Sequence, residues 1–150
     1  MPPFRRLAFV VNSEKPGAAE LAQELVAIAR AAGVRKIKLS DDRDLPRGCF
    51  KGCDACCVIG GDGTLLGAVR GAASEDIPII GVNQGSLGFL TTFSADEARA
   101  QFASLLGGDY RIARRALLDC RTGPRQHDVA LNDVLIKNEV NSRPRAWSRV

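Results

Sequence analysis

Ala55-Cys56-Cys57-Val58-Ile59-Gly60-Gly61-Asp62-Gly63-Thr64-Leu65-Leu66-Gly67-Ala68-Val69 is the stretch from which the rest of the chain can be read. Its apolar run is expected of a strand buried on both faces, and the residues after the glycines suit a helix, so Gly60-Gly61-Asp62-Gly63-Thr64 reads as a strand-to-helix turn. Glycines in such a turn permit φ > 0 and let backbone N–H groups approach a phosphate closely, while the helix N-terminus adds partial positive charge. Asp62 is the unusual member. A carboxylate there is repelled by phosphate unless a metal ion, or the proton of an attacking hydroxyl, gives it a role, and that combination points to phosphoryl transfer. The same pentapeptide is compatible with a plain structural turn, because Asp-Gly is a common turn dipeptide.

Working outward, Leu7-Ala8-Phe9-Val10-Val11 reads as another buried strand, ending at Asn12-Ser13. Pro16 opens a helix carrying Leu21, Leu25, Ile28 and Ala32, and Gly33 stops it. Lys36-Ile37-Lys38-Leu39 alternates as a short strand, residues 40–54 read as a loop, and Ile77-Pro78-Ile79-Ile80-Gly81-Val82 is a further buried strand. Ser94-Ala95-Asp96-Glu97 has capping-box spacing and starts a helix with Ala98, Phe102, Leu105 and Leu106 inward, closed by Gly107-Gly108. Strand, helix, strand, strand, helix, strand predicts an α/β fold with an open, mostly parallel sheet over residues 1–108, its ligands lying beyond the carboxyl ends of the strands. After that the texture changes. Residues 110–122 and 129–137 carry β-compatible alternation around a Gly123-Pro124 turn, which predicts the first strands of an incomplete all-β second domain over 109–150.

Composition narrows the function classes. With 45% apolar and 25% charged residues the 150-residue chain reads as soluble and globular. No stretch approaches the ~18 apolar residues of a membrane helix, and the five apolar residues before Asn12 are too short for a signal-peptide core. A cytoplasmic protein with no membrane partner is therefore expected. The net charge of +4 suits a polyanionic small ligand, and with only six Phe, one Tyr and one Trp there is no aromatic-interleaved basic groove, so no nucleic-acid partner is expected. Of the five cysteines, Cys49, Cys53, Cys56 and Cys57 invite a zinc reading. Neighbouring Cys56 and Cys57 would face opposite sides of a strand, which favours buried hydrophobes over a metal site.

Two further stretches carry chemistry. In Gly81-Val82-Asn83-Gln84-Gly85-Ser86-Leu87-Gly88-Phe89-Leu90-Thr91, Gly85 and Gly88 can bend the backbone around a ligand and Asn83 offers an amide. Phe89 offers a flat surface for a nucleobase, or else belongs to the core of an ordinary crossover. Asn132-Asp133 lies within the apolar run Ala130-Leu131-Asn132-Asp133-Val134-Leu135-Ile136. Adjacent strand residues face opposite ways, so one of the pair is expected to point inward unless the strand bulges or ends at a cleft, and ribose hydroxyls would supply the partners it needs.

On these three stretches the sequence resembles the NAD kinase family, enzymes that phosphorylate the 2′-hydroxyl of the adenosine ribose of NAD to give NADP. The first stretch is shared with diacylglycerol and sphingosine kinases, whereas the second and third are more specific to NAD kinases. The resemblance runs from about Phe4 to Arg143. It implies that Asp62 is the catalytic base, that Gly61, Gly63 and Thr64 lie against phosphate, and that Asn83 and Phe89 belong to the nucleotide site, Phe89 beside adenine. It further implies that Asn132 and Asp133 hold ribose hydroxyls, Asp133 standing where many members have Glu, and that Arg143 contacts the ligand. ATP or polyphosphate as donor, NAD as acceptor and a divalent metal ion, Mg2+ by preference, follow from the same resemblance. An Asp62→Asn change is expected to keep the shape of the site and to spare NAD binding. The family pattern continues into a larger β-rich second domain, so the chain is expected to be truncated within it; unpartnered strands over 109–150 would pair with another subunit, making a homo-oligomer the expected state. The other readings are a non-catalytic nucleotide-binding module and a lipid-kinase relative.

Overall fold

The computed structural model describes residues 1–85, 88–124 and 126–134. The chain divides into a unit of Met1–Arg114 and a second unit that begins at Arg115.

In the first unit, β1 (Arg6–Val11), β2 (Lys36–Asp41), β3 (Ala55–Gly60), β4 (Ile79–Asn83) and β5 (Phe93–Ser94) form one sheet in the order β2-β1-β3-β4-β5. Every pairing in it is parallel. The helices α1 (Ala18–Ala31), α2 (Asp62–Ser74) and α3 (Ala95–Gly107) cover both faces. This explains why the central strands are continuous apolar runs: alternate residues meet different helices, and neither side meets water. Leu7, Phe9, Val11, Cys57, Ile59 and Val82 share a core with Leu21 and Leu25 of α1 and Phe102 and Leu106 of α3. Ala8, Val10, Cys56 and Val58 are equally buried on the other face, where α2 packs with Leu65, Ala68, Val69 and Ala72. Burial pushes the Cys56 and Cys57 thiols upward, so both stay neutral side chains of the core.

Local chemistry places the ends of these elements. Asp54, just before β3, accepts from the backbone N–H groups of Arg5 and Arg6 and from the Arg6 guanidinium, fixing where β1 and β3 begin. Partial burial works against its charged form, yet these donors hold its carboxyl below the usual range. Pro78 has no N–H to give, and β4 starts two residues later than the apolar run, while the Pro78 carbonyl still accepts from the Cys56 N–H at 2.9 Å. At the start of α3 the capping box forms with both of its hydrogen bonds, and Gly108 ends the helix at φ 114. The two-residue strand β5 lies beyond what a period of two can reveal in a sequence.

The second unit contains β6 (Leu118–Gly123) and β7 (Gln126–Ala130), paired antiparallel around the Gly123-Pro124 turn. Here the sequence expectation is corrected on both sides. Residues 110–117 are not strand: Tyr110 stacks on Phe4 with ring centroids 4.5 Å apart and donates its hydroxyl to the Pro2 carbonyl, which holds it to the first unit. On the far side β7 stops at Ala130, so Asn132 and Asp133 follow a strand instead of lying inside one. Residues 135–137 of the expected strand, and Arg143, lie outside the described residues. Among the described residues no helix is long and apolar enough to cross a membrane.

Removing the Ser94 hydroxyl withdraws one acceptor from the α3 amide ladder and one partner from Glu97. Ser94→Ala is expected to lower unfolding stability by about 1 kcal/mol, seen as a lower urea midpoint at unchanged slope. An unchanged midpoint would show that the box adds nothing to this helix.

Candidate functional site

Strand order fixes where a ligand can enter. From β1 the chain crosses to β2 on one side, and from β3 it crosses to β4 on the other, so the connections diverge between β1 and β3. In open parallel sheets the crevice beyond the carboxyl ends at such a divergence is the ligand site. The glycine turn stands there. Gly60 closes β3, Gly61 is the N-cap of α2 and Asp62 is its first residue. Neighbouring strand ends are stitched to it: the Asn12 N–H donates to the Ile59 carbonyl, and the Gln84 N–H to the Gly60 carbonyl, each at 2.9 Å.

The glycines act by close approach. Among the described residues none of Gly60, Gly61 and Gly63 has positive φ, which corrects the expectation of left-handed backbone in this turn. A Cβ on Gly60 would lie 2.7 Å from the Thr64 Cβ, so the turn closes tightly only without one. The N-cap of α2, Gly61, brings no side chain to cap it. The N–H groups of its first turn, which have no intrahelical acceptor, are left for an anion.

Asp62 is held by the second glycine-containing turn. Its carboxylate accepts from the Phe89 N–H at 2.9 Å and the Leu90 N–H at 3.1 Å. A Cβ on Gly88 would sit 2.6 Å from the Asp62 Cγ, so this clamp requires glycine at 88. The donors at Phe89 and then Leu90 hold the Asp62 carboxyl below the usual carboxylate range, with a smaller pull from the Lys15 charge. Phe89 is 100% exposed, which removes it from the core and leaves its ring facing solvent beside Asp62's clamp.

Other residues behave differently from the sequence expectation. Thr64 is buried, and its hydroxyl donates to the Asp42 carboxylate at 3.0 Å with the Asn12 amide 3.4 Å away. That hydroxyl joins the ends of β1 and β2 to α2, leaving the backbone N–H as the part of Thr64 available to phosphate. Asn83 is buried at the end of β4, between Gly60 and Ser94 in register. Gly63 is exposed, with open space where a side chain would stand. Asn132 and Asp133 are exposed residues of the second unit. Sequence reasoning missed Asn12, Lys15, Asp42 and Gln84. The available signal was positional: each lies within four residues of the carboxyl end of a parallel strand. Lys15 donates to the Gln84 carbonyl at 3.0 Å, linking the β1–α1 loop to the second turn.

For a divalent cation, the donor set at the crevice is Asp62, engaged by two N–H groups, and Asp42, engaged by Thr64. Among the described residues there is no group of three or more His, Cys, Asp or Glu side chains that could cage an ion. One or two such carboxylates suit Mg2+ that keeps most of its ligands as water and substrate phosphate.

The comparisons agree with this architecture. The family model of the ATP-NAD kinase N-terminal domain matches residues 36–110, half of the 150-residue chain. The chain belongs to the NAD kinase family. It is 44% identical over 89 residues to the NAD kinase of Pseudomonas putida (strain W619), covering 56% of this chain and 30% of that protein. To the NAD kinase of Pseudomonas fluorescens (strain SBW25) it is 40% identical over 98 residues, covering 65% of this chain and 32% of that one. The chain thus spans about a third of the length of these curated relatives. A crystal structure of yeast NADH kinase complexed with NADH superposes with a TM-score of 0.60 at 15% identity, over 87% of this chain and 47% of that one, a likeness of fold. Asp62, Asn83 and Phe89 fall inside the matched span, whereas Lys15, Asn132, Asp133 and Arg143 fall outside it.

Because the Asp62 carboxyl is depressed in the folded state, the order it confers is present above the ordinary carboxylate value and is lost as pH falls through the lowered one. The amide protons of Phe89 and Leu90 are therefore expected to titrate together by NMR, with a midpoint below ~3.9. A midpoint at or above that value, or two unrelated curves, would show that Asp62 does not hold the turn.

Proposed function

We propose that this protein is an NAD kinase, transferring the terminal phosphoryl group of ATP, or of polyphosphate, to the 2′-hydroxyl of the adenosine ribose of NAD. One observation carries the reading: an ionised Asp62 carboxylate at an uncapped helix N-terminus, in the divergence crevice, clamped to the backbone of a fully exposed Phe89. The uncapped N–H groups of α2 suit donor phosphates, and the Phe89 ring suits the adenine of a nucleotide.

In the reaction a bond forms between the ribose 2′-oxygen and the transferred phosphorus, and the bond from that phosphorus to the bridging oxygen of the donor breaks. The hydroxyl proton passes to Asp62. With its acidity raised by the Phe89 and Leu90 N–H groups, Asp62 is a weak base toward a free alcohol. That suits a loose phosphoryl-transfer transition state, in which the nucleophile needs little deprotonation until bond formation is advanced. Mg2+ enters as part of the MgATP substrate and neutralises phosphate charge. Asn132 and Asp133 are assigned to ribose hydroxyls, and Arg143 to the ligand, on the family resemblance alone.

The clamp changes what Asp62→Asn should do. An amide keeps the carboxylate's outline but turns an NH2 group toward one of the two N–H donors, so the variant loosens the second turn as well as losing the proton acceptor. NADP formation from NAD and MgATP, followed by a coupled dehydrogenase on the protein purified as its gene encodes it, is expected to fall about 100- to 10,000-fold in kcat, with a rise in the KM for NAD. Near-normal turnover by Asp62→Asn would remove Asp62 as the base. Absence of NADP from the wild-type protein, with either ATP or polyphosphate, would overturn the assignment.

A further inference from the structure

Lys15 lies outside the family-matched span and outside the motifs that point to the function. Its position is nevertheless built. The Lys15 N–H donates to the Asn12 carbonyl at 3.1 Å, the Glu14 N–H to the Asn12 side-chain oxygen at 3.1 Å, and the Ala18 N–H to the Lys15 carbonyl at 3.1 Å. This fixes the loop between β1 and α1 on both sides of the residue. The side chain is half-buried, and its ammonium ends at the Gln84 carbonyl. A Cβ on Gly61 would lie 3.1 Å from the Lys15 Nζ, and one on Gly85 3.8 Å from it. The ammonium is thus seated over the N-cap of α2, between the two glycine-containing turns. Two sources of positive potential converge there, the ammonium and the uncapped N–H groups of α2. The hydrogen bond to Gln84 uses one of three ammonium donors, so phosphate oxygens can be held without breaking it.

We propose that Lys15 binds the donor's phosphate chain, holding a triphosphate or polyphosphate anion against the N-terminus of α2, and that it governs affinity for the donor and not for the acceptor. The proposal rests on the phosphotransfer reading for the identity of the donor, but phosphate binding can be read without any reaction. A purely structural Lys15 would tie the first loop to Gln84 through its donor alone. Lys15→Gln keeps an N–H donor and removes the charge, whereas Lys15→Met removes both. The two roles therefore separate.

The test is calorimetric binding of inorganic tripolyphosphate and of MgATP to the wild-type protein and to both variants, with KM for MgATP and for NAD measured in parallel. Both variants are expected to bind tripolyphosphate and MgATP about 10- to 100-fold more weakly, with the KM for NAD within about twofold of wild type. Lys15→Arg is expected to recover part of the loss. Wild-type tripolyphosphate binding by Lys15→Gln would overturn the proposal and leave Lys15 a structural tie, and so would an equal rise in both KM values. Should Lys15→Met fail to fold, Lys15→Gln and Lys15→Arg decide the matter. If no NADP forms at all, the functional reading fails while the tripolyphosphate titration still judges Lys15.

Discussion

The Asp62 carboxylate, hydrogen-bonded to the backbone N–H groups of Phe89 and Leu90, is the joint on which the candidate site depends. It connects the turn after β3 to the turn after β4, two segments that the sheet brings near each other but does not itself hold in shape. It fixes the backbone at Phe89, whose ring is fully exposed. The joint is charge-assisted, and such hydrogen bonds are about twice as strong as neutral ones. It also demands that residue 88 be glycine, since any side chain there would meet the carboxylate. A single acidic residue thereby imposes a constraint 26 positions away, through contact and without any shared secondary structure.

Beneath that joint the parallel sheet does the placing. Because these strands run parallel, Asn12, Asp42, Gly61 and Gln84 all emerge at the carboxyl end of the sheet, where the crossovers from β1 and β3 diverge. Thr64 then closes the arrangement from below, with Asp42 and Asn12 on its hydroxyl. Buried polar groups of this kind are tolerated only when partnered, and the partners here come from the ends of two different strands. The result is a floor under the crevice, in which the ends of two strands are tied to the first turn of α2.

Much of this was legible in the sequence, for identifiable reasons. Leu7 to Val11 and Ala55 to Ile59 announce doubly buried strands because neither run contains a polar residue, and the capping box at Ser94 and Glu97 announces α3 because its two hydrogen bonds are local. What was not legible is non-local. The direction of the Thr64 hydroxyl depends on Asp42, and the seat of the Lys15 ammonium depends on the Gln84 carbonyl, 69 positions away. β5 is too short to have a period, and the end of β7 at Ala130 follows from pairing with Leu118, which an apolar pattern continuing to Ile136 does not reveal. Glycine was recognised correctly but for a different physical reason: in the first turn it is demanded by neighbours that come close, not by a left-handed backbone.

Under the proposed function, the double use of Asp62 explains why a carboxylate can sit at a helix end that is to receive phosphate. Its negative charge is offset locally by two N–H groups and by the nearby Lys15, so a polyanion approaching α2 meets a partly neutralised acid flanked by donors. The same offset lowers the carboxylate's proton affinity, which holds it ionised and ready while making it a poor base toward an unactivated alcohol. In the proposed reaction, proton acceptance then becomes favourable only as the attacking oxygen gains positive character during bond formation. A group with ordinary acidity would take up protons more readily, but without the two N–H donors the exposed aromatic beside it would have no fixed place. Positioning and basicity are thus opposed in this residue, and the hydrogen-bonding pattern favours positioning, as expected where catalysis comes chiefly from alignment and charge.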